Sequence, residues 1–371
     1  MSAQPENFTL GVEEEYQIID PHTGELSSSS RSLLRTAQQT LGEQAQPELQ
    51  LSQVEAATSV CQDLGEVRKA LTHMRCEMIT AAEKKGKALV AAGTHPFSHW
   101  KSQRITPKER YKGIAEYYQQ LAREPIFGCH IHVGLSDRET RLKVMNRARA
   151  WLTPLLALAA NSPFWQGEDT GYASFRTVMW SRWPTSGQPQ YFASLAEYDA
   201  LLQALIATGC IEDATRIYWD IRLSERFDTI EFRVTDCCLT IDEAVMIAGL
   251  AQAVVQTCYE QVMNDIPFQP ARPELLRAAH WRAARYGISD ELVDVLKQRS
   301  LPAADLIKKM LDMLHPALEK SGNWAEVSEL VRQTLQQGNG AMRQRAAYQK
   351  NACQEDIVRY MVSETRKGIF S

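Results

Sequence analysis

Residues 10–20 read LGVEEEYQIID, and their alternation admits one local structure. Leu10, Val12, Tyr16 and Ile18 recur every second residue, the period of a β-strand with one face buried. Glu14 falls on that apolar face, where the pattern offers it no role. Glu13 and Glu15 project together from the other face, beside Gly11 and Gln17. Two carboxylates about 7 Å apart on one strand face repel by about 2 kcal/mol at an effective dielectric of 20. Solvent with nearby Lys or Arg relieves that repulsion, and so does a shared divalent cation. Mg²⁺ and Mn²⁺ are hard ions that suit carboxylate oxygen.

Three further stretches place polar groups in the same alternating way. PELQLSQVEAATSV (47–60) reads as extended over 48–56 and carries Glu48 and Glu55. Their odd separation sets them on opposite faces of an unbroken strand, so a bend is required to bring both to one site. In the strand at 126–135, IFGCHIHVGL, alternation sets His130 and His132 opposite Ile131 and Val133. Paired imidazoles in register suit a metal, whereas a lone core His more often bonds a backbone carbonyl. WDIRLSERFDTIEFRVTDCC (219–238) reads as a hairpin with Glu231 and Arg233 on one face and Ile230, Phe232 and Val234 on the other. Glu231 beside Arg233 is either a surface ion pair of little worth or a metal ligand beside a phosphate clamp. Arg222, on the preceding strand, points to the same place.

The remaining periodicity is mostly helical: 31–42, 63–86, 107–123, 138–161, 194–208, 240–264 and almost all of 273–366. Residues 162–192 have little period, as expected of a functional loop or lid. No repeat or linker divides the 371 residues, which predicts a single α+β domain, 1–371, with a helical C-terminal part from about 273. With 41 basic and 45 acidic side chains there is no polyanion-binding signal, so nucleic acid is not an expected partner. No apolar run nears the roughly 18 residues of a membrane span, and the N-terminus has no signal-peptide pattern. Eight cysteines without a CxxC pair read as reduced thiols in a cytoplasmic protein, with a vicinal Cys237–Cys238 disulfide the less favoured reading. HExxH, GxxxxGK[ST] and GxGxxG motifs are missing. Strand faces bearing Glu, His and Arg therefore suggest a nucleotide held through metals and arginines on an antiparallel sheet.

Together these stretches resemble the type 2 glutamate–cysteine ligase family, carboxylate–amine ligases with a glutamine synthetase-like fold. The likeness covers GVEEEY (11–16), ELQLSQVEAAT (48–58), AAGTHPF (91–97), GCHIHVG (128–134), NSPFWQGEDTGYASFR (161–176), WDIR (219–222), TIEFRVTD (229–236) and HWRAARYGI (280–288). It implies a curved, mostly antiparallel sheet whose concave face is the active site, backed by helices. It also implies ATP-dependent amide formation through an acyl phosphate, with glutamate and cysteine as default carboxylate and amine. Carried over by motif, Glu13, Glu15, Glu48, Glu55, His132 and Glu231 would hold Mg²⁺. Arg233 would contact the transferred phosphate with Arg222 as helper. His130, Arg176 and Arg182 would meet substrate, and Arg282 and Arg285, spaced by three on one helix, would contact phosphate. A homodimer is the expected assembly. A metal-dependent amide hydrolase is the alternative that the same Glu/His cluster allows, but it has no need of Arg222 and Arg233. A non-catalytic nucleotide or metabolite sensor is the third, and retention of every candidate ligand argues against it.

Overall fold

The computed structural model describes residues 6–370. Seven strands form one sheet. Across it run Ile221–Leu223, Thr229–Asp236, Gly128–Gly134, Leu10–Ile19, Gln53–Ala57 and Ala45–Pro47, and Ala88–Val90 pairs with the far end of Leu10–Ile19. Every pairing in this sheet is antiparallel. The alternation read from the sequence explains why it forms. Leu10, Val12, Tyr16 and Ile18, then Cys129, Ile131 and Val133, then Ile230, Phe232 and Val234 are all buried on one face.

Helices Leu64–Glu83, Arg138–Ala148, Leu152–Ala159 and Ile241–Met263 cover that face. Ile241–Met263 starts in a capping box, with Thr240 accepting from the Glu243 N–H and Glu243 accepting from the Thr240 N–H. It is the one helix, among the described residues, long and apolar enough to cross a membrane, and 83% of its most apolar window is buried inside the protein. The C-terminal helices Ala303–Lys320 and Trp324–Gln337 pack on it, so Leu306, Met310 and Val331 join the same core as Leu10 and Ile131.

Three readings of local structure need correction. The 48–56 segment is not one strand: Ala45–Pro47 and Gln53–Ala57 are separate, and 48–52 is irregular. The helix read over 138–161 is two, Arg138–Ala148 and Leu152–Ala159, divided by a 3₁₀ turn at Arg149–Trp151. Pro154, which has no N–H to give a preceding carbonyl, sits in the first turn of the second, where a proline is tolerated. The helical tract after 273 is interrupted by a hairpin, Glu291–Asp294 with Arg299–Pro302. Within 162–192 lies a short helix, Phe175–Trp180, capped by Ser174.

Candidate active site

The sheet's other face is built in rungs set by strand register. In the first, Arg222 pairs with Glu231, Glu231 with His132, and His132 with Gly11. In the second, His130 is opposite Glu13, and in the third Glu15 is opposite Glu55. Arg233 joins this face where the register shifts between Phe232 and Thr235, a β-bulge that redirects side chains. The irregular segment then brings in Glu48. Its bend is held from outside, because Leu51 N–H donates to the Arg104 carbonyl at 2.8 Å and Thr106 N–H to the Leu49 carbonyl at 2.9 Å. The parity conflict between Glu48 and Glu55 is resolved by that bend. Glu13, Glu15, Glu48, Glu55, His132 and Glu231 all face one cavity of about 430 Å³, together with His130, Arg176, Arg222 and Arg233.

Charge in the cavity is strongly organised. Glu13 lies 3.2 Å from His130 Nδ1 and 3.3 Å from His132 Nε2. Burial pushes its carboxyl up, but the two histidines outweigh this and hold it well below the usual range. Glu231 accepts from Arg222 Nε at 2.7 Å and Nη2 at 3.1 Å, and from Arg233. Burial again raises its pKa, and Arg233 and Arg222 more than reverse that. Glu48 and Glu55 lack such partners. Burial and then the neighbouring glutamates push Glu48 up to about 7 and Glu55 well above its ordinary value. The cavity's carboxylates outnumber its arginines.

Glu13, His132 and Glu231 each offer a ligand atom within 4.8 Å of the others. His132 Nδ1 is bonded to the Thr229 hydroxyl at 2.9 Å, which fixes the ring. Its buried Nε2 then faces the carboxylates without an aligned hydrogen bond. An oriented imidazole whose Nε2 faces two carboxylates suits a divalent cation.

Several expected site residues lie elsewhere. Arg182 is ion-paired with Glu124 at the cavity's edge, and only Glu124 lines the cavity. Arg282 donates to the Glu291 carbonyl at 2.8 Å and faces Asp290 and Glu291. Arg285 stacks over Tyr172 and Tyr286. Neither lines the cavity: their helix turns that face to the C-terminal hairpin and the 162–192 loop. The residue of HWRAARYGI that approaches the site is His280, 3.5 Å from Asp220. Tyr111, Trp180, Trp183 and Tyr218 form an aromatic wall that the sequence reading missed, as did exposed Lys108, Arg110 and Arg226 at the rim. Apart from the turn-rich context of 180–183, nothing local marks them.

The antiparallel sheet backed by helices, with an acidic floor and arginines facing one cavity, shares its fold with a solved glutamate–cysteine ligase. Ninety-eight per cent of the chain superposes on 90% of a glutamate–cysteine ligase from Francisella tularensis solved in complex with AMP, with a TM-score of 0.72 at 13% identity. It also superposes on 53% of a bifunctional glutathione synthetase from Pasteurella multocida, with a TM-score of 0.70 at 16% identity. The profile of glutamate–cysteine ligase family 2 matches residues 9–364. "Putative glutamate--cysteine ligase 2" of Rhodopirellula baltica is 41% identical over 363 residues, covering 96% of each chain. Its namesake in Solibacter usitatus is 36% identical over 373 residues, covering 100% of this chain and 97% of its own. The chain belongs to glutamate–cysteine ligase family 2 and, with it, to the ATP-dependent ligases.

Proposed function

We infer that the protein joins the side-chain carboxylate of glutamate to the amine of cysteine at the cost of ATP. One observation carries this: five glutamates (Glu13, Glu15, Glu48, Glu55, Glu231) share a cavity with Arg176, Arg222 and Arg233. The glutamates and His132 fit Mg²⁺, by the buried Nε2 turned to Glu13 and the clustered ligand atoms described above. Mn²⁺ fits the same donors. When bound, the cation would screen the ATP oxygens and let an anionic nucleophile approach.

The chain's own groups supply the rest. The substrate carboxylate attacks the γ-phosphorus, ADP leaves, and the acyl phosphate forms; the amine then attacks the acyl carbon, inorganic phosphate leaves, and the amine's proton passes to solvent or a neighbouring base. Arg233, anchored on Glu231, is in reach to donate to charge spreading over the transferred phosphoryl group. Arg222 grips Glu231 through two N–H bonds and keeps it in place. His130 steadies Glu13. Arg176 presents an underused buried guanidinium to a substrate carboxylate. Trp180 and Trp183, from the 162–192 segment, shield the acyl phosphate from water. The proposal extends to a reducing cytoplasmic setting, in keeping with eight free thiols. It also extends to a homodimer, for which exposed Met263 and Ile266 are a candidate contact.

The test is ADP release with Mg-ATP, glutamate and a panel of amines. ADP release that needs glutamate and is greatest with cysteine supports the reading. Equal release with a different amine redirects the amine assignment. Phosphate or amine release from a substrate without ATP overturns the ligase in favour of the hydrolase.

A further inference from the structure

The rim of the cavity carries an aromatic side chain that the reaction above leaves unused. Among the described residues, Tyr111, Trp180, Trp183, Tyr218 and Phe227 are the Phe, Tyr and Trp side chains that line the cavity. Four of them are already engaged. Trp183 and Tyr218 are buried and pack edge-on at 5.4 Å. Trp180 lies against both and donates its Nε1–H to the Tyr218 carbonyl at 3.2 Å. The Tyr111 hydroxyl donates to the Pro47 carbonyl at 2.6 Å. Phe227 is 58% exposed, and its ring meets the His132 ring edge to face at 5.9 Å.

The backbone beneath that ring is fixed. Phe227 lies in the turn 224–228, between the strands Ile221–Leu223 and Thr229–Asp236. Ser224 N–H donates to the Thr229 carbonyl at 3.1 Å, and Thr229 N–H to the Phe227 carbonyl at 2.8 Å. Arg141, 4% exposed, reaches the turn from the helix Arg138–Ala148. It donates to the Phe227 carbonyl at 3.2 Å and to the Asp228 carboxylate at 2.8 Å. Leu135 N–H donates to the Asp228 carbonyl at 3.0 Å from beyond the strand Gly128–Gly134. None of these bonds uses the Phe227 side chain. Thr229, at the end of the turn, is bonded to His132 Nδ1 at 2.9 Å, so the ring stands on the same frame as a candidate cation ligand.

An apolar ring held in water at the edge of a polar cavity is stabilised when a flat apolar group covers it. Of the molecules that the ligase reading brings here, glutamate and cysteine have no such group, whereas ATP carries a purine. The ring also stands beside the cluster of Glu13, His132 and Glu231, which suits a divalent cation and therefore the phosphate end of the same molecule. We propose that Phe227 is the shelf on which the purine of the nucleotide stacks, with the turn 224–228 as its rigid mount. This deepens the ligase reading and rests on it for the identity of the nucleotide. Stacking of a base on an aromatic side chain is worth about 5- to 100-fold in affinity on truncation to alanine. It reads the face of the base and not its edge, so the shelf accepts either purine.

The experiment measures binding to the full chain by calorimetry, with Mg²⁺ and either a non-hydrolysable ATP analogue or inorganic tripolyphosphate. Phe227→Ala should weaken the analogue by about tenfold and leave tripolyphosphate within about twofold of wild type. Phe227→Tyr, which keeps the ring, should recover most of the loss. Equal losses for both probes, or none for either, overturn the proposal. A loss of affinity for Mg²⁺ alone overturns it too, because the ring would then be a support for His132. In turnover the KM for ATP should rise while those for carboxylate and amine stay unchanged, and a rise in either of the latter instead overturns the shelf. If Phe227→Ala does not fold, Phe227→Leu, which keeps apolar bulk without a π-face, decides on the same measurements. Wild-type protein that binds no analogue refutes the proposal. Wild-type protein that binds it yet releases no ADP with any carboxylate and amine refutes the ligase reading instead, and the analogue still judges Phe227.

Discussion

Glu14 and its neighbours Glu13 and Glu15 occupy one strand and meet opposite fates. Glu14 is fully buried under the sheet, where Arg75 binds both of its oxygens and the Tyr16 hydroxyl donates to one at 2.5 Å. Arg75 also donates to the carbonyls of Cys238 at 2.8 Å and Leu239 at 3.0 Å. Every charge there has a fixed partner, so the pair ties the sheet to the helix Leu64–Glu83 and to the turn after the Thr229–Asp236 strand. Glu13 and Glu15 face a cavity where carboxylates outnumber arginines. Such a set is a ready receptor for cations, because binding one removes repulsion as well as forming bonds. The same side chain is a clasp where its charge is closed and a site where it is left open.

The largest test of this contrast is catalytic. Glu13→Gln and Glu15→Gln should each lower ADP release by at least about 100-fold while costing less than about 1 kcal/mol of stability, since lost charge also relieves repulsion. Turnover within a few-fold of wild type would remove them from the site. The mirror experiment is on the other face. Arg75→Met should cost about 3–5 kcal/mol in urea unfolding, because it strands a buried carboxylate. Adding Glu14→Leu to Arg75→Met should restore much of it, and a further loss would show that the pair is worth more than its desolvation.

A smaller effect is linked to protons. Glu48 is raised from an unfolded value near 4.5 to about 7. A raised acid contributes stability that is full below pH 4.5 and lost as pH climbs through about 7. With a chelator present, stability from this group should therefore fall between pH 6 and pH 8, and added Mg²⁺ should raise the Tm more at pH 8 than at pH 6. An equal Mg²⁺ shift at both values would detach Glu48 from the cation site. The smallest expected change comes from Arg282→Ala and Arg285→Ala, each altering the KM for ATP by less than about threefold, in line with surface substitutions of about 0.5 kcal/mol or less. A tenfold rise would return them to the phosphate site.

Alternation along LGVEEEYQII, GCHIHVG and TIEFRV determined which side chains share a face, because in a strand that direction is a local consequence of backbone geometry. It separated Glu14 from Glu13 and Glu15 and aligned His130 with His132 before any contact was known. Glu14's partner was beyond its reach: Arg75 is 61 residues away, on a helix whose docking no period encodes. Glu48 joined Glu55 only through a bend held by residues 104–106, since an irregular backbone carries no period to read. Helical spacing showed correctly that Arg282 and Arg285 share a region of one helix, yet not what that region faces. The docking of that helix against the 162–192 segment directed His280 to Asp220 and left both arginines outside. Local chemistry set each residue's direction along its own element, and packing between distant elements decided what each one met.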